Sequence, residues 1–363
     1  MCGIAGIISQ DSSNIVLPVL KRMADSLAHR GPDGEGFWIN EGANAGFAHR
    51  RLAVIDLSAT GAQPMHYLNR YTIVYNGEIY NYPELKKELQ VAGYTFTSKS
   101  DTEVILAAYD CYKENCVTYF DGMFAFAIWD EKHQSLFAAR DRFGEKPFYY
   151  YSDKNKFAFA SEMKALWAAG IERNVEHKMV LNYIALGYVQ NPADKSQTFF
   201  NKISSLLPAH CLQLNLRTGK FTISNYWQID KQYLQKISVA NASKRFIELF
   251  NSSIYKRLRS DVPVGASLSG GLDSSSIAYF INRQLLEANA SENFKSFSAI
   301  FPGYEKDEEK YIKTVAEQCR FETFTVTPTA DSLIRDFEKL CYHQEEPFPS
   351  SSIYTQYKVF ELA

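Results

Sequence analysis

The chain's 363 residues are 46% hydrophobic, enough for two or three domains with conventional cores. A formal net charge of −2 gives no electrostatic footing for nucleic acid or for a membrane surface. No apolar run approaches a membrane span, and the N-terminus lacks a basic stretch followed by an apolar one. The six cysteines (2, 111, 116, 211, 319 and 341) form no CxxC pair, which argues against structural zinc and for a reducing, cytoplasmic compartment.

In chain order, residues 2–215 read as a strand-rich domain that opens on an apolar strand at 4–8. Apolar residues at helical spacing occupy 16–28 and stop at the turn His29-Arg30-Gly31-Pro32-Asp33-Gly34. Segments 47–57 and 71–75 are rich in β-formers. Ser100-Asp101-Thr102-Glu103 is a capping-box pattern that starts a helix through residue 112. Short strands at 123–129, 135–140, 147–151 and 156–161 predict an antiparallel sheet, with a helix at 162–169 after them. Residues 216–243 read as a linker. Beyond it, a helix at 244–259, a strand at 263–268, a helix at 277–286, a strand at 294–301 and a helix at 306–319 give the cadence of a parallel α/β domain over 244–363.

Cys2 carries the first chemical signal, because loss of Met1 would make it residue one. A terminal cysteine holds a thiol nucleophile beside a free α-amine whose pKa is about 7.7–8.0. Taken alone, a cysteine opening an apolar strand is simply a small buried hydrophobe. Arg50 and Arg51, at the edge of the apolar strand 49–55, fit a solvated strand edge or a bidentate grip on a carboxylate. Asn76-Gly77 between β-type runs signals a type I′ turn. The Asn76 amide and the Gly77 N–H at such a turn could also form an oxyanion hole. Asp101 suits a helix's first turn, and could equally hold a substrate ammonium.

These pieces share their order with Arg30-Gly31-Pro32-Asp33, Phe124-Ala125-Phe126, Arg140-Asp141-Arg142-Phe143-Gly144 and Ser161-Glu162-Met163-Lys164-Ala165-Leu166. The order resembles class II glutamine amidotransferases, most closely the glutaminase domain of the asparagine synthetase family. The resemblance implies an α+β N-terminal-nucleophile αββα sandwich that hydrolyses the side-chain amide of glutamine. It implies that Cys2 attacks the amide carbon while its own α-amine handles the proton, and that Asn76 and Gly77 hold the oxyanion. Arg51 would grip the α-carboxylate, and Glu78 and Asp101 the α-ammonium. The backbone running on from Arg51 through Leu52, Ala53, Val54 and Ile55 would line the same pocket.

Ser269-Gly270-Gly271-Leu272-Asp273-Ser274 lies between a strand and a helix, where glycine N–H groups and a helix N-terminus can meet an anion. It is no Walker A loop, since no Gly-Lys-Ser/Thr follows, and a Gly-rich turn with serine caps is its plainer use. The motif resembles the pyrophosphate loop of ATP pyrophosphatases, which implies an α/β parallel-sheet domain, here incomplete, that binds ATP. Asp273 would help organise Mg²⁺, and Leu268 and Ala299 would contact the adenosine.

Together the two resemblances imply glutamine-dependent asparagine synthesis. Ammonia released at Cys2 would cross an internal tunnel and displace AMP from a β-aspartyl-adenylate, giving asparagine, AMP and pyrophosphate. The substrates would be glutamine, aspartate and ATP, with no nucleic-acid or membrane partner; a homodimer is left open. Family members continue past residue 363 with a second ATP motif and most of the aspartate pocket. A truncated chain is therefore expected, one that keeps glutaminase activity and has weak or no synthetase activity. Two other readings stay open: amide transfer to another carboxylate (a sugar acid, peptide or antibiotic precursor), and a glutaminase-only or regulatory fragment.

Overall fold

A computed structural model describes residues 1–9, 15–287 and 294–363. The chain divides into two units, Met1–Gln232 and Tyr233–Ala363. Among the described residues no helix is long and apolar enough to cross a membrane.

The first unit holds strands β1 (Gly3–Ser9), β2 (Gly34–Ile39), β3 (Ala45–Arg51), β4 (Met65–Tyr67), β5 (Tyr71–Ile79) and β6 (Gly122–Asp130). They are followed by β7 (Ser135–Arg140), β8 (Tyr149–Ser152), β9 (Lys156–Ala160), β10 (Ile203–Ser205), β11 (His210–Asn215) and β12 (Lys220–Asn225). Its helices are α1 (Leu17–Ser26), α2 (Tyr82–Val91), α3 (Asp101–Tyr112), α4 (Met163–Ala168) and α5 (His177–Leu186). The strands form two antiparallel sheets, in the orders β10-β8-β9-β1-β3-β2 and β12-β11-β7-β6-β5-β4.

Strand alternation explains why these sheets stack. In β1, Ile4 and Ile8 join Phe47, Phe159, Val74, Trp129 and Leu212 in a core between the sheets. Ala5 and Ile7 point the other way, into a core shared with Leu20 of α1 and Leu166 of α4. On the second sheet, Ile73 and Tyr75 of β5 pack with Leu85 of α2 and Ile105 of α3. Helices therefore cover both outer faces, and the unit is an αββα sandwich. Covered on both sides, β1 shows an unbroken apolar run instead of alternation.

Several expectations change. Asn76-Gly77 makes no turn: both residues lie inside β5, opposite Ala125 and Phe124, and neither has a positive φ. A Cβ at Gly77 would sit 2.2 Å from the Met123 carbonyl oxygen, so close strand approach, not turn geometry, accounts for the glycine. The strand expected over 47–57 ends at Arg51, because the Leu52 and Ala53 N–H groups donate to Cys2 Sγ and Asp33 Oδ2 rather than to a neighbouring strand. Ser100 caps α3 through Thr102 N–H, but Glu103 reaches Thr97 and Ser98 instead of closing a capping box. Residues 220–225, within the stretch read as linker, form β12, whose Phe221 ring packs near those of Tyr150 and Phe157.

The second unit contains strands β13 (Gly265–Ser267), β14 (Lys295–Ala299) and β15 (Glu322–Val326), all parallel and in that order. Its helices are α6 (Val239–Arg257), α7 (Leu272–Glu287), α8 (Glu309–Cys319), α9 (Ala330–Gln344) and α10 (Ser352–Leu362). Ile254, Leu268, Ile281 and Ile312 centre its core.

Two stability predictions follow from the sandwich. Phe159 is fully buried between the sheets, with ring centroids 5.2 and 5.5 Å from those of Phe148 and Phe47. Phe159→Ala should cost about 3–5 kcal/mol. Urea unfolding followed by tryptophan fluorescence isolates this unit, since Trp38, Trp129, Trp167 and Trp227 all lie in it. A change under about 1 kcal/mol would contradict the packing described.

His49 of β3 links the sheets, its Nε2 lying 3.2 Å from the Tyr75 carbonyl oxygen. Burial pushes its pKa down to about 3, whereas an unfolded histidine titrates near 6.5. The unfolded chain thus takes up a proton that the folded one refuses. The stabilisation is complete above pH ~6.5 and is lost as pH falls toward ~3. Between roughly pH 7.5 and pH 5 this group should remove about 2 kcal/mol. His49→Gln, whatever its cost at pH 7.5, should flatten that part of the slope; an unchanged slope would count against it.

Candidate active site

One cavity in the first unit collects Cys2, Arg51, Leu52, Val54, Ile55, Asn76, Gly77, Glu78 and Asp101. Period-two geometry puts the first of them together. Cys2 precedes Ile4 by two residues, and Asn76 follows Val74 by two, so both side chains fall on the inter-sheet side. Cys2 Sγ accepts the Leu52 N–H at 3.4 Å and lies 3.5 Å from the Leu52 carbonyl oxygen. Burial pushes the thiol pKa up, against the Leu52 N–H and the nearby amino terminus, which pull it down. Burial pushes the Met1 α-amine down to about 6, with the Arg30 and Lys146 charges acting in the same direction.

Asn76 is 1% exposed, and its Nδ2 has no hydrogen-bond partner among the described residues. Such a buried donor costs roughly 1–3 kcal/mol unless something accepts from it. Gly77 supplies a second donor. Phe124 opposite it spends both backbone groups on Asp141, through Oδ2 (3.2 Å) and N–H (2.8 Å). The Gly77–Phe124 pair is thus of the non-hydrogen-bonded kind, and the Gly77 N–H points away from β6. Its neighbours on that side are already used: Tyr75 N–H donates to Gln63 Oε1 (2.6 Å) and Ile79 N–H to Asp101 Oδ2 (2.9 Å).

Of the two arginines, Arg51 faces the cavity, whereas Arg50 turns to Asp25 and Glu35. The Arg51 guanidinium donates to the carbonyls of Ser58 (2.9 Å) and Asp56. Gly61 leaves it room, since a Cβ there would stand 2.4 Å from Nη2. Asp101 is buried and accepts from Tyr75 Oη at 2.8 Å; burial raises its pKa against these hydrogen bonds. Ala53 does not line the cavity.

Sequence reasoning passed over Lys146, Gln63, Tyr75 and Met123, which also line the cavity. Lys146 is buried, and its Nζ lies 2.9 Å from Met1 Sδ. Its position comes from Asp141, whose carboxylate accepts the N–H groups of Phe143, Glu145 and Lys146, each at 3.0 Å. The signal was within the quoted Arg140–Gly144 motif, which had no role assigned. Behind Cys2, Arg30 Nε donates to the Cys2 carbonyl (2.9 Å) and Arg30 Nη1 to Glu162 (2.7 Å). Burial opposes ionisation of Glu162, but His29, Arg30 and Lys164 hold its pKa well below the usual range.

In the second unit, Leu268, Ser269 and Ala299 share a cavity with Ser298, Tyr304 and Asp307. Ser298 Oγ donates to the Leu268 carbonyl at 2.6 Å, and Leu268 N–H to the Phe297 carbonyl at 3.0 Å. Gly270 has a φ of 81°, which favours glycine there. Ser274 Oγ accepts the Ser269 N–H (3.2 Å) and so closes the loop. Gly270, Gly271, Leu272, Asp273 and Ser274 lie outside this cavity's wall, with Leu272 and Asp273 exposed on the first turn of α7. Among the described residues, no group of three or more His, Cys, Asp or Glu could hold a metal ion.

Comparison with known proteins agrees with this division. A glutamine amidotransferase domain matches residues 1–227, and an asparagine synthase domain matches residues 245–363. Two glutamine-hydrolysing asparagine synthetases of Bacillus subtilis are similar, one 40% identical over 76% of this chain and the other 33% identical over all of it. An amidase of Gibberella zeae is 31% identical over 96% of the chain. The chain spans about half the length of these relatives, covering 44%, 56% and 54% of them in turn. With both domains matched in order, the chain belongs to the family of glutamine-hydrolysing asparagine synthetases.

Proposed function

We propose that the first unit hydrolyses glutamine at Cys2 once Met1 has been removed. The observation that carries this reading is the buried Asn76 Nδ2, without a hydrogen-bond partner among the described residues, in the same cavity as the Cys2 thiol. Removal of Met1 turns an amide nitrogen into a basic α-amine beside the thiol. That amine takes the thiol proton as Sγ bonds to the side-chain amide carbon of glutamine. Negative charge develops on the amide oxygen, which accepts from Asn76 Nδ2 and the Gly77 N–H. The ammonium then returns the proton to the leaving nitrogen, the C–N bond breaks, and ammonia leaves a γ-glutamyl thioester. Water, deprotonated by the same amine, releases glutamate. Arg51 binds the α-carboxylate, and Glu78 and Asp101 bind the α-ammonium.

The second unit uses ATP in this reading. Leu268 and Ala299 contact the adenosine and the loop Ser269–Ser274 meets the phosphates. Asp273, the only carboxylate in that loop, suits a Mg²⁺ that keeps most of its ligands as water and phosphate oxygen. The bound ion would neutralise phosphate charge as pyrophosphate leaves. Aspartate is the acceptor, activated as the β-adenylate, so that ammonia yields asparagine, AMP and pyrophosphate. The six free cysteines suit a cytoplasmic setting. The amidase among the relatives favours a second reading, in which the ammonia goes to a different carboxylate acceptor.

Glutamate release from glutamine tests the first site. Cys2→Ala should abolish it, and Asn76→Ala should lower kcat by about 10²–10³ with a much smaller change in KM. Turnover surviving Cys2→Ala would refute the mechanism.

A further inference from the structure

The segment Ser161-Glu162-Met163-Lys164 takes no part in the proposed chemistry, yet it is tied to the nucleophile's backbone on both sides of Gly3. Ser161 Oγ accepts the Ile4 N–H at 3.0 Å, and the Ser161 N–H donates to the Ile4 carbonyl at 2.9 Å. Glu162, 8% exposed, receives Arg30 Nη1 at 2.7 Å, and the same guanidinium reaches the Cys2 carbonyl at 2.9 Å. Lys164 Nζ and His29 Nε2 converge on the two oxygens of the same carboxylate.

Gly3 makes this arrangement consequential. A Cβ there would lie 2.9 Å from Leu27 Cβ, which accounts for the glycine. A glycine, however, gives the chain no local stiffness. The hydrogen bonds of β1 stop restraining the backbone at its first residue, Gly3. Cys2, one residue further out, is fixed mainly by Leu52 at its sulfur and Arg30 at its carbonyl. Two cations and a histidine around one buried carboxylate are also not an efficient way to gain stability. Apolar side chains of similar volume often stabilise as well or better.

We propose that Glu162 is a positioning residue for Cys2, holding Arg30 so that it fixes the Cys2 carbonyl and with it the direction of the thiol and the α-amine. The inference rests on Cys2 being the glutamine-hydrolysing nucleophile. Lys164 and His29 orient the carboxylate, and Arg30 transmits that orientation across Gly3. A displaced nucleophile still lets glutamine bind, so the loss falls on kcat rather than KM.

The test is a double-mutant cycle in the full chain, with removal of Met1 verified by mass spectrometry. Glu162→Gln should lower kcat for glutamine hydrolysis by about 10-fold or more, with KM within about two-fold. In an Arg30→Met background the same substitution should cost less than about two-fold further, because its route to Cys2 is already cut. Titration of the thiol with 6-diazo-5-oxo-L-norleucine gives the active fraction; a merely structural role would lower that fraction and leave kcat per titrated site unchanged. Wild-type kcat in Glu162→Gln, or losses that multiply in the double variant, would overturn the proposal. If Glu162→Gln does not fold, Arg30→Lys keeps the charge but cannot bridge both partners, and it should show the same kcat loss; wild-type kcat there overturns the proposal too. Turnover that persists in Cys2→Ala would instead overturn the glutaminase reading, and the positioning role with it.

Discussion

The seating of β1 between β3 and β9 is the constraint on which the rest of the first unit depends. Chain ends commonly fray. Here every residue of Gly3–Ser9 is buried, Gly3–Ile8 pair with β3 and Ala5–Ser9 with β9, so Cys2 extends from an ordered strand rather than a loose tail. The two-residue period then aims it at the second sheet, and the same period in β5 aims Asn76 back. Two polar groups thereby meet at the end of a seam that is otherwise Ile, Val, Phe and Trp.

That seam shapes the chemistry as well as the fold. Burial raises the Cys2 thiol pKa, so in the proposed hydrolysis the thiol relies on a nearby base. The Asn76 amide is buried with no hydrogen-bond partner among the described residues, so in the proposed hydrolysis a substrate oxygen gains more from it than it would in solvent. Charges are placed around this seam in an ordered way. Asp101 and Glu78 stand at one side, and Arg30, Lys146 and Arg51 near the terminus and its flank.

Much of this was legible in the residues themselves. The apolar run 4–8 reads directly as a strand, and the helix at 16–28 appears as α1 within two residues at each end. Arg51 rather than Arg50 faces the cavity; it is the arginine that directly precedes the apolar residues 52–55, as in the family motif. Other features were hidden by context. Asn-Gly is a turn signal locally, but nine-residue β5 absorbs it because β6 approaches too closely for a Cβ at residue 77. β12 was masked by the polar residues that flank Phe221 and Ile223 on a half-exposed edge. Glu162 and Lys146 were invisible as site residues, since their significance comes from partners 132 and 145 positions away. In the second unit the strand–loop–helix cadence of 263–286 reads correctly, while the placing of Ala299 beside Leu268 depends on the parallel pairing of β13 and β14.

The central claim is that the N-terminal residue itself, freed of Met1, forms a covalent bond with glutamine. Acid quenching of the chain during turnover, followed by mass spectrometry of its N-terminal peptide, addresses this directly. The account predicts a γ-glutamyl thioester on a peptide that begins at Cys2. Active chain that retains Met1, or turnover with the acyl group on another residue, would contradict it.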